Sequence, residues 1–252
     1  MAITSSVRQG IAQISIDRPE KRNTLDKEHC ENLEEELMLA ENNQEVRSIV
    51  ICGLPNVFCS GLDVRDLMDR PTALLTAFRS LIHTLDKLEK PVIAAVSGPA
   101  VAEGVTLLYH TDLVYCSEHS LFSMPAVALG LSPQCGVSLL ALKNADYKLA
   151  AQKLLLSEPI SPEEAVALGF VNNILPEDKL MAQVAASASR LANMPPLALR
   201  ATKRLLKKAY LADLAAQEEL ENEVMKVLLG SDENKEALLA FSENRKPNFA
   251  LN

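Results

Sequence analysis

Residues 91–108 read PVIAAVSGPAVAEGVTLL. Pro91 opens a run of apolar residues that Gly98 ends, and a continuous apolar run this short suits a strand buried on both faces. Beyond Gly98 the chain passes through a short loop into a helix start at Glu103-Gly104. The first backbone N–H groups of a helix have no partner within it, so they point outward and can bind an anionic oxygen. A plain strand-to-helix connection reads the same way, so the flanking sequence has to decide.

Upstream, SIVICG (48–53) is a second β-branched run, and residues 72–88 between the two read as a helix. Strand, helix, strand at this spacing implies an α/β core. IAQISID (11–17) alternates apolar and polar residues and reads as another strand. Pro19 breaks that pattern, and Asp26 offers a cap for an amphipathic helix from Lys27 to Asn43, with Leu33, Leu37 and Ala40 on its apolar face. Downstream, TDLVYCSEHSLFSM predicts two short strands about Ser117 to Ser120. Helices follow at 145–156, 161–168, 177–192 and in several segments of 196–243. Pro195-Pro196 marks the one composition break, which divides an α/β core (1–194) from a C-terminal helical region (195–252).

Composition narrows the function classes. Hydrophobic residues make up 48% of the 252 and charged residues 23%, ordinary for a soluble protein. No apolar run approaches the ~20 residues of a membrane helix, so no membrane partner is expected. The formal charge of −8, from 33 acidic and 25 basic residues, argues against nucleic acid. Cys30, Cys52, Cys59, Cys116 and Cys135 are widely spaced without a C-x-x-C pair, which reads as free thiols in a reducing compartment rather than a metal site. MAITSSVRQG lacks the layout of a signal peptide and the NFALN terminus is not of the S-K-L type, so a cytoplasmic location is expected.

Taken in order, RPEKRNTL (18–25), FCSGLDV (58–64), KPVIAAVSGPAVAEGVTLL (90–108), DLVYCSEHSLFSMPAVALGLSPQCG (112–136) and SPEEAVALGFVNNIL (161–175) resemble the enoyl-CoA hydratase/isomerase (crotonase) superfamily. The resemblance runs from about residue 11 to FSENRKPNF (241–249). It implies a crotonase-like spiral of ββα units, with the C-terminal helices packing on the core and building a homotrimer or a dimer of trimers. The implied ligand is an acyl-CoA thioester, CoA entering as part of the substrate, with no separate cofactor and no metal. Two backbone N–H groups, carried over to Leu62 and Glu103, would hold the thioester oxygen as it becomes an enolate; losing one such donor costs about 3–4 kcal/mol in other enzymes. For the CoA moiety the resemblance implies Lys21, Arg22 and Thr24, backbone groups of Asp63 and Val64, and Lys246 and Phe249 of the tail.

The pattern departs from the family where the proton is moved. The two hydratase glutamates fall at Thr106 and Ala126, so hydration by that route is not expected. The chain is more similar to the Δ3,Δ2-enoyl-CoA isomerase branch, in which one glutamate shuttles a proton between C2 and C4; here that position is Gln134. A neutral amide has no usable proton-accepting site at neutral pH. Glu103 is a substitute base or a helix-start acid favoured by the dipole, Asp63 a second candidate, and His110 a candidate to line the pocket. Cys135, at a helix start, could have a lowered pKa, although buried free cysteines are usually inert. The expected activity is therefore double-bond isomerisation through a stabilised enolate. The alternatives are an acyl-CoA-binding protein without turnover and another reaction of the superfamily, such as thioester hydrolysis.

Overall fold

The computed structural model describes residues 3–249; Met1, Ala2 and the end of the NFALN tail lie outside them. The main sheet has six strands in the order β1 (Ile3–Arg8), β2 (Ile11–Ile16), β3 (Ser48–Cys52), β4 (Val92–Val96), β6 (Leu113–Ser117) and β8 (Asn173–Leu175). The β1–β2 hairpin is antiparallel and every later pairing is parallel. All five residues of β3 and of β4 are buried, as their unbroken apolar runs predict.

Alternate residues of these strands face opposite layers, the period-two consequence of a pleated strand. Val50, Cys52, Ile93 and Ala95 pack with Leu180, Val184 and Ala188 of α8 (Glu177–Ala192). Ile49, Ile51, Val92, Ala94 and Val96 join the main hydrophobic cluster, which also takes in the apolar faces of α1 (Lys27–Asn42) and α3 (Pro71–Lys87). Asp26 caps α1 by accepting from the His29 N–H, as its position implies.

The apolar run from Pro91 does end at Gly98, but the segment read as a loop beyond it is a second short strand. β4 turns at Gly98, and the chain enters β5 (Pro99–Val101), which pairs in parallel with β7 (Leu121–Ser123) in a second, smaller sheet. Gly98 has φ +80°, and a Cβ there would lie 2.4 Å from the Asn56 carbonyl oxygen, so the turn admits no side chain. Bridges from Cys59 to Ala100 and from Ile160 to Phe122 extend the small sheet on both sides. Each turn of the chain thus lays one strand in the large sheet, one in the small, and then a helix: β4, β5, α4 (Glu103–His110), then β6, β7 and a 3-10 turn at Val127–Leu129. The fold is α/β, and this is the ββα spiral implied by the resemblance.

The remaining helices are α2 (Val64–Asp69), α5 (Val137–Asn144), α6 (Tyr147–Leu156), α7 (Pro162–Ala167), α9 (Pro196–Lys208), α10 (Leu211–Leu228) and α11 (Asp232–Ser242). Leu214, Met225 and Leu238 from the last two are buried in the main cluster. Helix α9 is pinned by charge: Lys203 Nζ lies 2.6 Å from Asp112 Oδ2 and Lys207 Nζ lies 2.9 Å from Asp86 Oδ1. No helix among the described residues is long and apolar enough to cross a membrane.

Candidate active site

The second N–H region, at Glu103, follows a backbone distortion. Ala102 precedes α4 with φ +51° and ψ −115°, a conformation that costs a residue with a Cβ of order 1–3 kcal/mol. It puts Glu103 at the first position of α4, where the backbone N–H groups have no intrahelical acceptor. Opposite it, the loop after Cys59 turns at Gly61, where φ is +87°. Leu25 N–H donates to the Gly61 carbonyl and Asp63 N–H to the Leu25 carbonyl, both at 2.8 Å. That pairing holds Leu62 in register, and its N–H turns toward Glu103.

The two sites meet in a side chain. Leu62 N–H donates to Glu103 Oε2 at 3.2 Å, and Gln134 Nε2 donates to Glu103 Oε1 at 2.9 Å. Residues separated by 41 and 31 positions are therefore joined through a single carboxyl group. Burial pushes the Glu103 carboxyl above the ordinary carboxylate range, while hydrogen bonds from its own backbone N–H, from Gln134 and from Leu62 oppose the rise. Both backbone donors singled out in the sequence thus already face a carboxyl oxygen.

Gln134 is buried, and the loop that carries it is held on two sides. Cys135 and Gly136 both have left-handed backbones, with φ +57° and +72°. His110 Nε2 bonds the Cys135 carbonyl at 2.9 Å while its Nδ1 lies 2.9 Å from Asp86 Oδ2. The ring thus links the loop carbonyl to the Asp86 carboxylate. Across the loop, Glu221 of α10 accepts from Gly136 N–H at 2.6 Å and from the N–H and hydroxyl of Ser138 at 3.1 and 2.5 Å. The Asp86–His110 pair and Glu221 were not singled out as supports of this loop in the sequence, because their partners are backbone groups with no letter to match.

A cavity of about 290 Å³ opens beside these groups. Its wall includes Leu62, Glu103 and Gln134, together with Thr106 and Ala126, the positions at which hydratases would carry their glutamates. Glu103 is the one carboxyl side chain on that wall among the described residues. His110 is buried behind the loop and does not line the cavity, and burial pushes the Cys135 thiol well above its ordinary value, so neither the pocket role nor the activated thiol considered for them is present.

The residues assigned to CoA are placed less uniformly. Lys21 Nζ lies 3.4 Å from Asp63 Oδ2, and Asp63 caps α2 by accepting from Arg65 N–H at 3.0 Å. Arg22 is exposed, Val64 lines the cavity, and the Thr24 hydroxyl is buried without a partner. Lys246 and Phe249 are exposed beyond α11, although their neighbours Arg245 and Pro247 reach the cavity wall. Asn23, which drew no attention in the sequence, is fully buried: its amide donates to the carbonyls of Ile16 and Phe58 at 2.9 and 3.1 Å and shapes the RPEKRNTL loop.

Comparison with known proteins places the chain among relatives. The family profile described as enoyl-CoA hydratase/isomerase matches residues 6–252. The chain is 28% identical to 2,3-dehydroadipyl-CoA hydratase of Escherichia coli (strain K12), over 97% of this chain and 96% of that one. It is 29% identical to 1,2-epoxyphenylacetyl-CoA isomerase of the same organism, over 98% and 97%. Among solved structures it is similar to Pseudomonas aeruginosa OdaA, with 33% identity, a TM-score of 0.91 and coverage of 95% and 98%. An enoyl-CoA hydratase/isomerase from Pseudoalteromonas atlantica superposes with a TM-score of 0.92 at 28% identity, covering 99% and 100%.

Proposed function

Because this chain belongs to the enoyl-CoA hydratase/isomerase family, we propose that it isomerises the double bond of an acyl-CoA thioester, with Glu103 as the proton carrier. The observation that carries this is the carboxyl of Glu103, held by Gln134 at 2.9 Å and by Leu62 N–H at 3.2 Å on the wall of a cavity to which no other carboxyl of the described residues belongs.

In the bound complex the thioester oxygen takes the N–H groups of Leu62 and Glu103, displacing the carboxylate toward the acyl chain. The freed carboxylate removes a proton from C2 of a 3-enoyl thioester. The C2–H electron pair becomes the C1–C2 π bond of a dienolate whose charge rests on the thioester oxygen, where the two N–H groups stabilise it. Glu103, now protonated, returns its proton to C4, and the double bond settles between C2 and C3. Gln134 keeps hold of one carboxyl oxygen throughout, acting as a positioning residue that never needs to ionise.

The same proposal extends to assembly and to CoA. Lys21, Arg22, Thr24, Asp63, Val64, Lys246 and Phe249 hold the nucleotide side, and the helical region 195–252 joins subunits into a trimer or a dimer of trimers. Leu197, Leu205, Leu206 and Val227, each more than 60% exposed, support such an interface. A cytoplasmic location remains part of the proposal.

The test is a 3-enoyl-CoA isomerase assay on the wild type, Glu103→Gln and Gln134→Glu. Activity in the wild type that is lost in Glu103→Gln supports the proposal. An inactive wild type that gains activity in Gln134→Glu overturns it, since the site is then a silenced isomerase with its carboxylate missing from the loop. Activity retained in Glu103→Gln likewise removes Glu103 from the reaction.

A further inference from the structure

We infer that the cavity takes an uncharged aliphatic acyl chain of about eight to ten carbons, since it has roughly twice the ~150 Å³ of an apolar cavity that admits a six-carbon ring and its Leu62–Glu103 end must also hold the thioester. The inference rests on the acyl-CoA reading above and adds the class of the tail. The wall away from Glu103 is built from Leu129, Leu131, Leu154, Met225, Ala237 and Phe241, so α6, α10 and α11 of the same chain close an apolar chamber.

Charge on the wall excludes the alternatives. Arg245 is the one cationic side chain lining the cavity among the described residues. Its Nη1 and Nη2 lie 2.6 and 2.9 Å from the two carboxylate oxygens of Glu236, and its Nε lies 2.6 Å from Glu243. Two carboxylates already share that guanidinium, so a terminal carboxylate entering the cavity would meet no free cation and would lose its hydration without compensation. A terminal quaternary ammonium needs a carboxylate or an aromatic cage. Phe241 is the single aromatic ring on the wall among the described residues, and Glu103 is committed to the thioester end. The Ser132 hydroxyl, buried without a partner on the same wall, can exchange one hydrogen bond with a neutral atom but cannot neutralise a charge.

The experiment is titration calorimetry of the full chain with saturated acyl-CoAs from butyryl to tetradecanoyl, and with adipyl-CoA, whose tail ends in a carboxylate. Saturated chains bind without turnover. The Kd should fall about fourfold per added methylene, the equivalent of ~0.8 kcal/mol each. The fall should stop at about eight to ten carbons, where the cavity volume is used up. Adipyl-CoA should bind at least about tenfold more weakly than hexanoyl-CoA, because its carboxylate is left unpaired. Ala237→Trp should bring the plateau to a shorter chain; if that variant does not fold, the ladder on the unmodified protein decides. Saturable butyryl-CoA binding with no gain on lengthening, or adipyl-CoA binding as tightly as hexanoyl-CoA, overturns the tail assignment and leaves the acyl-CoA reading standing. No saturable affinity for any acyl-CoA overturns both.

Discussion

Replacing Glu103 by glutamine removes a charge and a proton-accepting site while keeping the shape. In the wild type its carboxyl receives Leu62 N–H at 3.2 Å and Gln134 Nε2 at 2.9 Å. A glutamine can keep both contacts, its carbonyl oxygen accepting from Leu62 and its amide donating to Gln134 once the Gln134 amide is flipped. Loss of a general base costs about 10² to 10⁴ in rate, a barrier increase of about 3–5 kcal/mol. Steady-state formation of the conjugated 2-enoyl thioester, followed by its absorbance, measures that loss directly. Stability should move the other way. The Glu103 carboxyl is raised above its ordinary value, chiefly by burial. A raised acid is disfavoured as the anion in the folded state, so the folded protein loses stability as pH rises from the ordinary carboxylate value through the raised one. At neutral pH the wild type carries that penalty and the variant does not. Glu103→Gln should therefore melt higher than the wild type near pH 7, and the difference should shrink on acidification toward about pH 4. A variant with undiminished kcat refutes the catalytic role. A variant that melts lower at neutral pH refutes the claim that the buried carboxylate is a net cost.

Ala102→Gly should stabilise the chain by about 1 kcal/mol, raising Tm by about 2–4 °C, because glycine relieves the positive φ at no steric cost; a lower Tm would show that the Ala102 backbone is unstrained. Gly136→Ala should destabilise by about 1–3 kcal/mol in chemical unfolding, because the new Cβ would lie 2.1 Å from Leu214 Cδ1 in a backbone at φ +72°; no shift in the midpoint would show that α10 does not press on this loop. Asp86→Ala should cost about 3–5 kcal/mol, the loss typical of breaking a buried ion pair, since it takes the carboxylate away from Lys207 Nζ and from His110 Nδ1. Burial works to raise the Asp86 carboxyl, but His110 and Lys207 hold it well below the ordinary carboxylate range. Its contribution is therefore complete above the ordinary carboxylate pKa and lost only as pH falls toward the depressed folded value, so urea midpoints of wild type and variant should stay apart at neutral pH and converge only in strong acid.

The buried strands were legible in the sequence because burial on both faces leaves an unbroken apolar run, and β3 and β4 form where those runs lie. β1 was not legible: five of its six residues are exposed, so ITSSVR has no apolar pattern, and only pairing with β2 defines it. Helix α2 has six residues, too few for an amphipathic period to show, and follows from Asp63 as its cap. The break at Gly98 was legible, but β5 beyond it read as a loop, because Pro99–Val101 is too short for a strand pattern to show. At the site, Glu103 and Gln134 were legible as letters, one unexpected carboxyl and one missing carboxyl, but their hydrogen bond was not. It depends on the ββα spiral bringing the start of α4 against the loop before α5, a contact no local pattern encodes. The Asp86–His110–Cys135 and Glu221–Gly136 supports were invisible for the same reason, since each ends on a backbone atom.

The position of a base matters less than the point in space its oxygen reaches. Gln134 Nε2 and Glu103 Oε1 are 2.9 Å apart, so the carboxyl reached from the start of α4 and the terminal atoms reached from the loop occupy adjoining space. Exchanging which of the two carries the acid therefore moves the proton-accepting oxygen by about one hydrogen-bond length. It also changes what surrounds that oxygen. The carboxyl extending from residue 103 folds back onto the Leu62 N–H and its own backbone N–H. On the proposed reaction the Glu103 carboxyl sits where the thioester oxygen would bind, and that oxygen would have to displace it before chemistry begins. A thioester oxygen is a weaker acceptor than a carboxylate, so on that proposal the displacement draws on binding energy from the rest of the substrate, including burial of the acyl chain against Leu131, Leu154 and Met225. Tail length and turnover are coupled for that reason: short thioesters that bury few methylenes should leave Glu103 in the site, and chains that fill the cavity should turn it toward C2.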